Sequence, residues 1–190
     1  KPGARSPTGS KGTHAVTIAV WVRLPSIPVG DELSGDGIFH VADGGGFGAG
    51  FDVFWSTEKA DPSVAFYPPG LLGGLRGVPA DPLSWTHVVV TFDPEGALPN
   101  AKLYLDGALA SEGDAMGGTF DAPGEVWVGK YLNDGFATEG WFDEVAVWSE
   151  ALGADQVAAM YGGGSPIDLS AASGEYTSAD ALLGYWRMGD

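Results

Sequence analysis

Short β-branched and aromatic runs, each cut off by glycine, proline, aspartate or asparagine, recur along this chain and constrain its fold more than any other feature. The first, AVTIAVWVRL (Ala15–Leu24), is stopped by Pro25. Gly37–Ala42 (GIFHVA), Gly50–Trp55 (GFDVFW), Ser63–Tyr67 (SVAFY), Trp85–Phe92 (WTHVVVTF), Lys102–Leu105 (KLYL), Glu125–Lys130 (EVWVGK) and Trp141–Trp148 (WFDEVAVW) follow. Runs of this length and residue type, bounded by turn formers, are strand signals. Many of them in succession specify a sandwich or a barrel. The 31 glycines and 13 prolines supply the turns between them. Asp106-Gly107, between KLYL and the short ALASE run, predicts a two-residue type I′ hairpin, because glycine tolerates φ > 0. One helix is expected at Ala154–Tyr161 (ADQVAAMY), with Val157, Met160 and Tyr161 on one apolar face and Gly162-Gly163-Gly164 ending it. After a polar loop, Ala181–Met188 (ALLGYWRM) reads as one more strand. No internal repeat is visible.

The chain of 190 residues fits one domain, and its 44% hydrophobic and 12% aromatic content can fill a core. The polar, Pro/Gly-rich residues 1–14 are expected to be a flexible lead-in, with a single domain over 15–190. A formal net charge of −16 repels phosphate backbones and anionic lipid, and the nine Lys and Arg form no basic patch, so nucleic-acid binding is not expected. Acidity favours cations, and Ca²⁺ takes hard oxygen ligands, although solubility alone explains most such charge. Without cysteine there is neither a disulfide framework nor a thiolate metal site. No apolar run reaches membrane-spanning length, so membrane insertion is not expected. The chain starts at Lys1 rather than Met, without a visible signal peptide, which suggests an excerpt or a processed product.

The run WFDEVAVWSEALGADQVAAMY (Trp141–Tyr161) resembles the C-terminal signature of laminin-G-like, concanavalin-A-like jelly rolls. In that family a strand carrying an Asp leads through a Leu-containing turn into a short helix ending in Tyr. TIAVWVRL resembles the family's first sheet strand, with its hallmark Trp at Trp21. SWTHVVVTFD and KLYLDG resemble its central hairpin, with Trp85, His87, Tyr104, Asp106 and Gly107 in matching places. The resemblance spans Thr17 to Tyr161 and implies an all-β, two-sheet antiparallel jelly-roll sandwich with one short helix near the C-terminus. The family's opening strand, a pattern like LvgYWxfd, stands here at the end instead, as LLGYWRMGD (Leu182–Asp190). Residues 182–188 are therefore expected to close the sheet at the opening-strand position, an arrangement that removes an exposed edge. The competing reading makes them the start of a second domain.

Chemistry is sparse. Glycoside hydrolases related to this fold carry carboxylates in a Glu-x-Asp-x-x-Glu pattern, and retaining hydrolysis needs two carboxyl groups about 5–5.5 Å apart. Glu139, Asp143 and Glu144 do not match that spacing, and Asp143-Glu144, as neighbours on a strand, point to opposite faces. The histidines, His14, His40 and His87, sit in no nucleophile motif or metal-ligand spacing; His87 is expected to pack or hydrogen-bond at the sheet, and His40 to have Asp43 as a partner. The resemblance implies structural Ca²⁺ held through an Asp, and Asp143 occupies that position. By alternation Asp143 shares a face with Val145 and Val147, where a carboxylate must be paired or metal-bound. The alternative is that it caps a neighbouring loop through backbone N–H groups. Asp190 is a further candidate at the same rim, with Asp43 and Asp134 for a second one. Sugar-recognising sandwiches use aromatic platforms with polar neighbours. Phe47, Trp55, Tyr67, Tyr131, Phe136 and Trp141 are candidates, of which Phe47, Trp55, Phe136 and Trp141 are the expected exposed contacts. Trp21, Trp85, Trp127, Trp148 and Trp186 are assigned to the core.

These residues point to a non-catalytic recognition domain of a secreted or cell-surface protein, binding a glycan or another protein, with Ca²⁺ as an optional structural cofactor. A structural or assembly module of a larger adhesin, fibre or virion protein is the alternative, which would place the domain on a virion surface. A glycoside hydrolase ranks last.

Overall fold

The computed structural model describes residues 15–26, 36–42, 50–56, 62–117, 125–131 and 133–188; the expected lead-in, 1–14, lies outside them. One sheet is ordered β13 (Leu182–Trp186), β12 (Trp141–Trp148), β1 (Val16–Arg23), β6 (Thr86–Phe92), β7 (Ala101–Leu105) and β8 (Ala108–Gly113). The facing sheet is ordered β10 (Lys130–Tyr131), β11 (Asn133–Ala137), β2 (Asp36–Ala42), β3 (Gly50–Ser56), β4 (Ser63–Tyr67) and β5 (Leu75–Gly77), with β9 (Glu125–Val128) also paired to β2. Apart from β11 with β2, the pairings are antiparallel. This is the jelly-roll sandwich that the strand pattern and the family resemblance imply. The strands β5 and β11, in Gly-rich stretches, have no counterpart among the sequence-predicted runs.

The first sheet is covered on both sides, so β1 and β6 are apolar almost without interruption instead of alternating. Ile18, Val20, Val22, Val88, Val90, Phe92, Leu103 and Val145 point between the sheets and meet Phe39, Val41, Phe51, Val53, Trp55, Val64 and Phe66. Ala19, Val89, Tyr104, Ala146 and Trp148 point outward into a second core, beneath α1 (Ala154–Tyr161) and the segment that follows it. There Leu152, Val157, Met160, Leu169 and Tyr176 close over them. Trp148 Nε1 donates to the Tyr176 hydroxyl at 3.0 Å, which donates to the Leu169 carbonyl at 2.9 Å. Gly162, at φ 59°, caps α1 and sends its N–H to the Ala158 carbonyl; glycine takes this left-handed conformation at little cost. The β7–β8 turn is the expected type I′, with Asp106 at φ 50° and Gly107 at φ 77°.

β12 breaks simple alternation. Against β1 its register runs Trp141↔Arg23, Phe142↔Val22 and Asp143↔Trp21, then resumes at Ala146↔Ala19. Glu144 and Val145 together face Val20, which is a β-bulge, and Glu144 has φ 51°. The extra residue resets the pleat, so Phe142 and Val145 both pack into the inter-sheet core. Cross-strand partners share a face, so Asp143 lies on the Trp21 face and not with Val145 and Val147, as uninterrupted alternation predicts. β13 pairs with β12 from Val145↔Trp186 to Trp148↔Leu182. The buried Glu144 carboxylate accepts hydrogen bonds from the Tyr185 hydroxyl and, at 3.2 Å, from Arg187 Nε.

Candidate ligand site

Period-2 alternation along β1 puts Trp21 and Arg23 on the outer face of the first sheet, where Tyr161, the last residue of α1, reaches Trp21. Arg23 pairs in register with Trp141, and its guanidinium carbon lies 5.1 Å from the centre of the Trp141 ring. On the other side Trp85 stands one residue beyond the Val22↔Thr86 pair. The sheet thus carries a row of Trp141, Arg23 and Trp85, a cation between two indoles. Trp141 is 51% exposed and Trp85 40%. Trp21, Arg23, Leu83, Ser84, Trp85 and Tyr161 line a depression of about 350 Å³.

The floor of this depression is fixed by ring stacking. Trp21 pairs with His87 across β1 and β6, their ring centres 5.0 Å apart and planes 25° from parallel. Tyr161, at the end of α1, stacks on Trp21 at 5.7 Å and on His87 at 6.1 Å. The hairpin turn seats Tyr161 as well, since a Cβ on Gly107 would come within 2.9 Å of it. His87 itself is buried, and its backbone is clamped to Asp106: the His87 N–H donates to Asp106 Oδ1, and the Asp106 N–H to the His87 carbonyl, both at 2.9 Å. Burial holds the imidazole neutral, with its pKa lowered to about 3. Its Nδ1 has no hydrogen-bond partner among the described residues. The packing role expected of His87 is the one it has.

Acidic groups beside the depression are turned to other work. Asp81 closes the turn before Trp85: its Oδ2 accepts from Ser84 Oγ at 2.6 Å and its Oδ1 from the Leu83 N–H at 3.0 Å. Those two bonds, the Ser84 one first, hold its carboxyl below the ordinary range. Asp143 Oδ1 accepts the N–H groups of Glu144, at 2.8 Å, and of Met188, at 2.9 Å. That environment is a backbone cap. This backbone capping is the alternative that the sequence offered to Ca²⁺ at Asp143. Among the described residues no group of three or more His, Cys, Asp or Glu is placed to hold a metal.

The remaining sequence candidates are dispersed. Trp55 is not an exposed contact: it is 1% exposed, packed in the inter-sheet core with Phe51 and Val53. The alternation around Asp52 carries this signal, since Asp52 and Phe54 take the outer face and leave Phe51, Val53 and Trp55 inside. Trp85 and Trp186, assigned to the core by sequence, are 40% and 47% exposed. Tyr67 stacks on Phe54 on the outer face of the second sheet, far in sequence from the Trp141 row. Asp134 and Phe136 lie on β11 and Tyr131 on β10, while Asp43, Phe47 and Asp190 lie outside the described residues. His40 bonds through Nδ1 to Asp52 Oδ1, where sequence proximity suggested Asp43. Burial, partly offset by His40, raises the Asp52 pKa. Nothing in the sequence marks Arg23, Trp85 and Tyr161 as neighbours, because only β-sheet register and the helix end bring them together.

Two facing sheets with a helix and a second core on one outer face define a lectin-like jelly roll. The chain belongs to the concanavalin A-like lectin/glucanases superfamily, whose family model matches residues 2–158. No curated protein matches the sequence. Among solved structures it resembles a protein from Bacteroides ovatus described as a candidate carbohydrate-binding protein, at TM-score 0.62 and 19% identity; the match covers 96% of this chain and 47% of that one, so this chain spans about half its length. A SAP-like pentraxin from Limulus polyphemus aligns at TM-score 0.61 and 16% identity over 84% of this chain and 79% of that one. The CBM40 module of the Ruminococcus gnavus IT-sialidase, solved with α2,3-sialyllactose, aligns at TM-score 0.56 and 16% identity over 80% and 84% of the two chains. At these identities the likeness is one of fold.

Proposed function

We propose that this chain is a non-catalytic glycan-recognition domain of a secreted or surface protein, and that it takes a saccharide in the depression between β1, the segment leading into β6 and the end of α1, with Trp141 of β12 beside it. The observation that carries the reading is the depression lined by Arg23, half-exposed Trp85, Trp21 and Tyr161, with half-exposed Trp141 beside it against Arg23. Large exposed indoles are unfavourable in water, and the apolar face of a pyranose covers them while its hydroxyls keep polar partners at the rim. Two of the structural neighbours support the reading by their descriptions, a carbohydrate-binding candidate and a module solved with a sialylated sugar. The acids that might serve hydrolysis are occupied, Asp143 as a backbone cap and Glu144 by Tyr185 and Arg187.

A glycan array, followed by titration calorimetry on the best hit, tests this. Trp141→Ala and Trp85→Ala are each expected to weaken binding about tenfold or more, the scale of losing one stacked aromatic contact. The described lining holds no carboxylate, so matched EDTA and Ca²⁺ arms are expected to give the same Kd. Hits unaffected by both substitutions would move the ligand elsewhere, and an empty array would remove the reading.

A further inference from the structure

We propose that the saccharide taken at this site carries an anionic group, a carboxylate or a sulfate, set against Arg23; the inference rests on the reading of the depression as a glycan site. The chain has 25 acidic residues against nine Lys and Arg, yet among the described residues the one charged side chain lining this depression is a cation. Among the described residues no carboxylate forms an ion pair with Arg23. Among the described residues, Asp81 and Asp143 direct oxygens to N–H and O–H donors of their own turns and strand ends. Arg23 is instead held over Trp141. A guanidinium held by an aromatic face keeps its N–H donors in its own plane, where they match the two oxygens of a planar oxyanion. Trp85 and Leu83, both partly exposed, add apolar surface to the same depression.

The arrangement also explains why a cation stands here. A neutral sugar stacking on Trp85 and Trp141 would be served by any uncharged residue between them. An arginine there costs desolvation when a sugar covers it; a bond to a neutral hydroxyl offsets part of that cost, and a bond to an anion offsets more, because both partners are then charged.

The test titrates the intact chain, by calorimetry at one salt concentration, with three ligands of matched size: a uronate-containing disaccharide, its carboxyl-reduced neutral form, and a sulfated form of the neutral sugar. Wild-type protein is expected to bind at least one anionic form about tenfold more tightly than the neutral one, which is the value of a hydrogen bond to a charged group. Arg23→Gln is expected to bring anionic and neutral forms to the same affinity, and Arg23→Lys to retain part of the preference. Both substitutions are at an exposed strand end, and an unchanged Tm shows that the fold is kept. The carboxylate and sulfate arms tell which anion is read. Equal wild-type affinity for all three sugars, or a preference that survives Arg23→Gln, overturns the anionic assignment while leaving the glycan reading standing. Absence of binding by every sugar takes both away.

Discussion

Burial alone lowers the His87 pKa to about 3, because neither the Trp21 nor the Tyr161 ring that stacks on it can solvate a charge. In the unfolded chain the same imidazole titrates near its ordinary 6.5. As pH falls below that value the unfolded chain takes up a proton that the folded one refuses. The stability His87 provides is therefore complete above pH 6.5 and is lost as pH falls toward 3, at about 1.4 kcal/mol per pH unit. Asp52 works in the opposite sense: its raised pKa favours the folded state at low pH and loses that contribution as pH rises through the folded value. The two are separated by comparing wild type with His87→Phe, since Asp52 is common to both. Urea unfolding is expected to show wild type losing about 2 kcal/mol more than the variant between pH 6.5 and pH 5. Parallel pH profiles would assign the acid sensitivity to another group. At this scale the sequence was only partly legible. Trp141 stands out as a strand-end aromatic, and Trp55 was recoverable from Asp52 on the same strand. Arg23 and Trp85 were not, because their meaning depends on which residues lie across the sheet.

The joint between β12 and β13 depends on one buried carboxylate. Glu144 sits at the bulge with φ 51°, a conformation that costs a non-glycine residue about 1 kcal/mol, and it is retained by bonds from Tyr185 and Arg187. Burial and the Glu144 carboxylate together push the Tyr185 phenol upward in pKa, so the hydroxyl stays a donor at any physiological pH. Tyr185→Phe removes that donor and leaves the carboxylate underserved in a site 5% exposed. The expected loss is about 1–3 kcal/mol in urea unfolding. Amide exchange should accelerate at Leu182–Trp186 more than in β1 or β6, whose bonds do not involve this group. Uniform acceleration across the sheet would mean that β13 does not open by itself. The strong elements were readable from sequence because their signals are local: the helix at Ala154–Tyr161 and the Asp106-Gly107 turn fall where capping and turn chemistry put them. β5 and β11 escaped because a three-residue strand, and one built on Asn-Asp-Gly, carry turn-like composition and exist through their partners. The bulge escaped for a related reason. Nothing in WFDEVAVW says where the pleat is reset, and the face assigned to Asp143 depends on it.

For the molecule as a whole, net charge and a local cation act at different distances. Each approaching anion first meets the field of a chain at −16, which is repulsive and is screened beyond about 30 Å at 0.01 M ionic strength but beyond about 8 Å at 0.15 M. Contact with Arg23 is made well inside that distance, at hydrogen-bonding range beside Trp141 and Trp85, where salt weakens it less than it weakens the long-range field. Jelly-roll topology was visible from the order of strands and turns, and the charge from composition alone. Their combination at one end of one sheet was not, since α1 has to cover part of the outer face before the rest can become a site. For an anionic saccharide, added salt should therefore relieve the long-range repulsion more than it weakens the contact. Stopped-flow tryptophan fluorescence is expected to show its association rate rising between 0.01 and 0.15 M NaCl, with the dissociation rate changing less. The neutral counterpart should show no such dependence. An association rate that falls with salt would mean that the ligand meets a basic surface on approach, and the balance between Arg23 and its acidic surroundings would then have to be reversed.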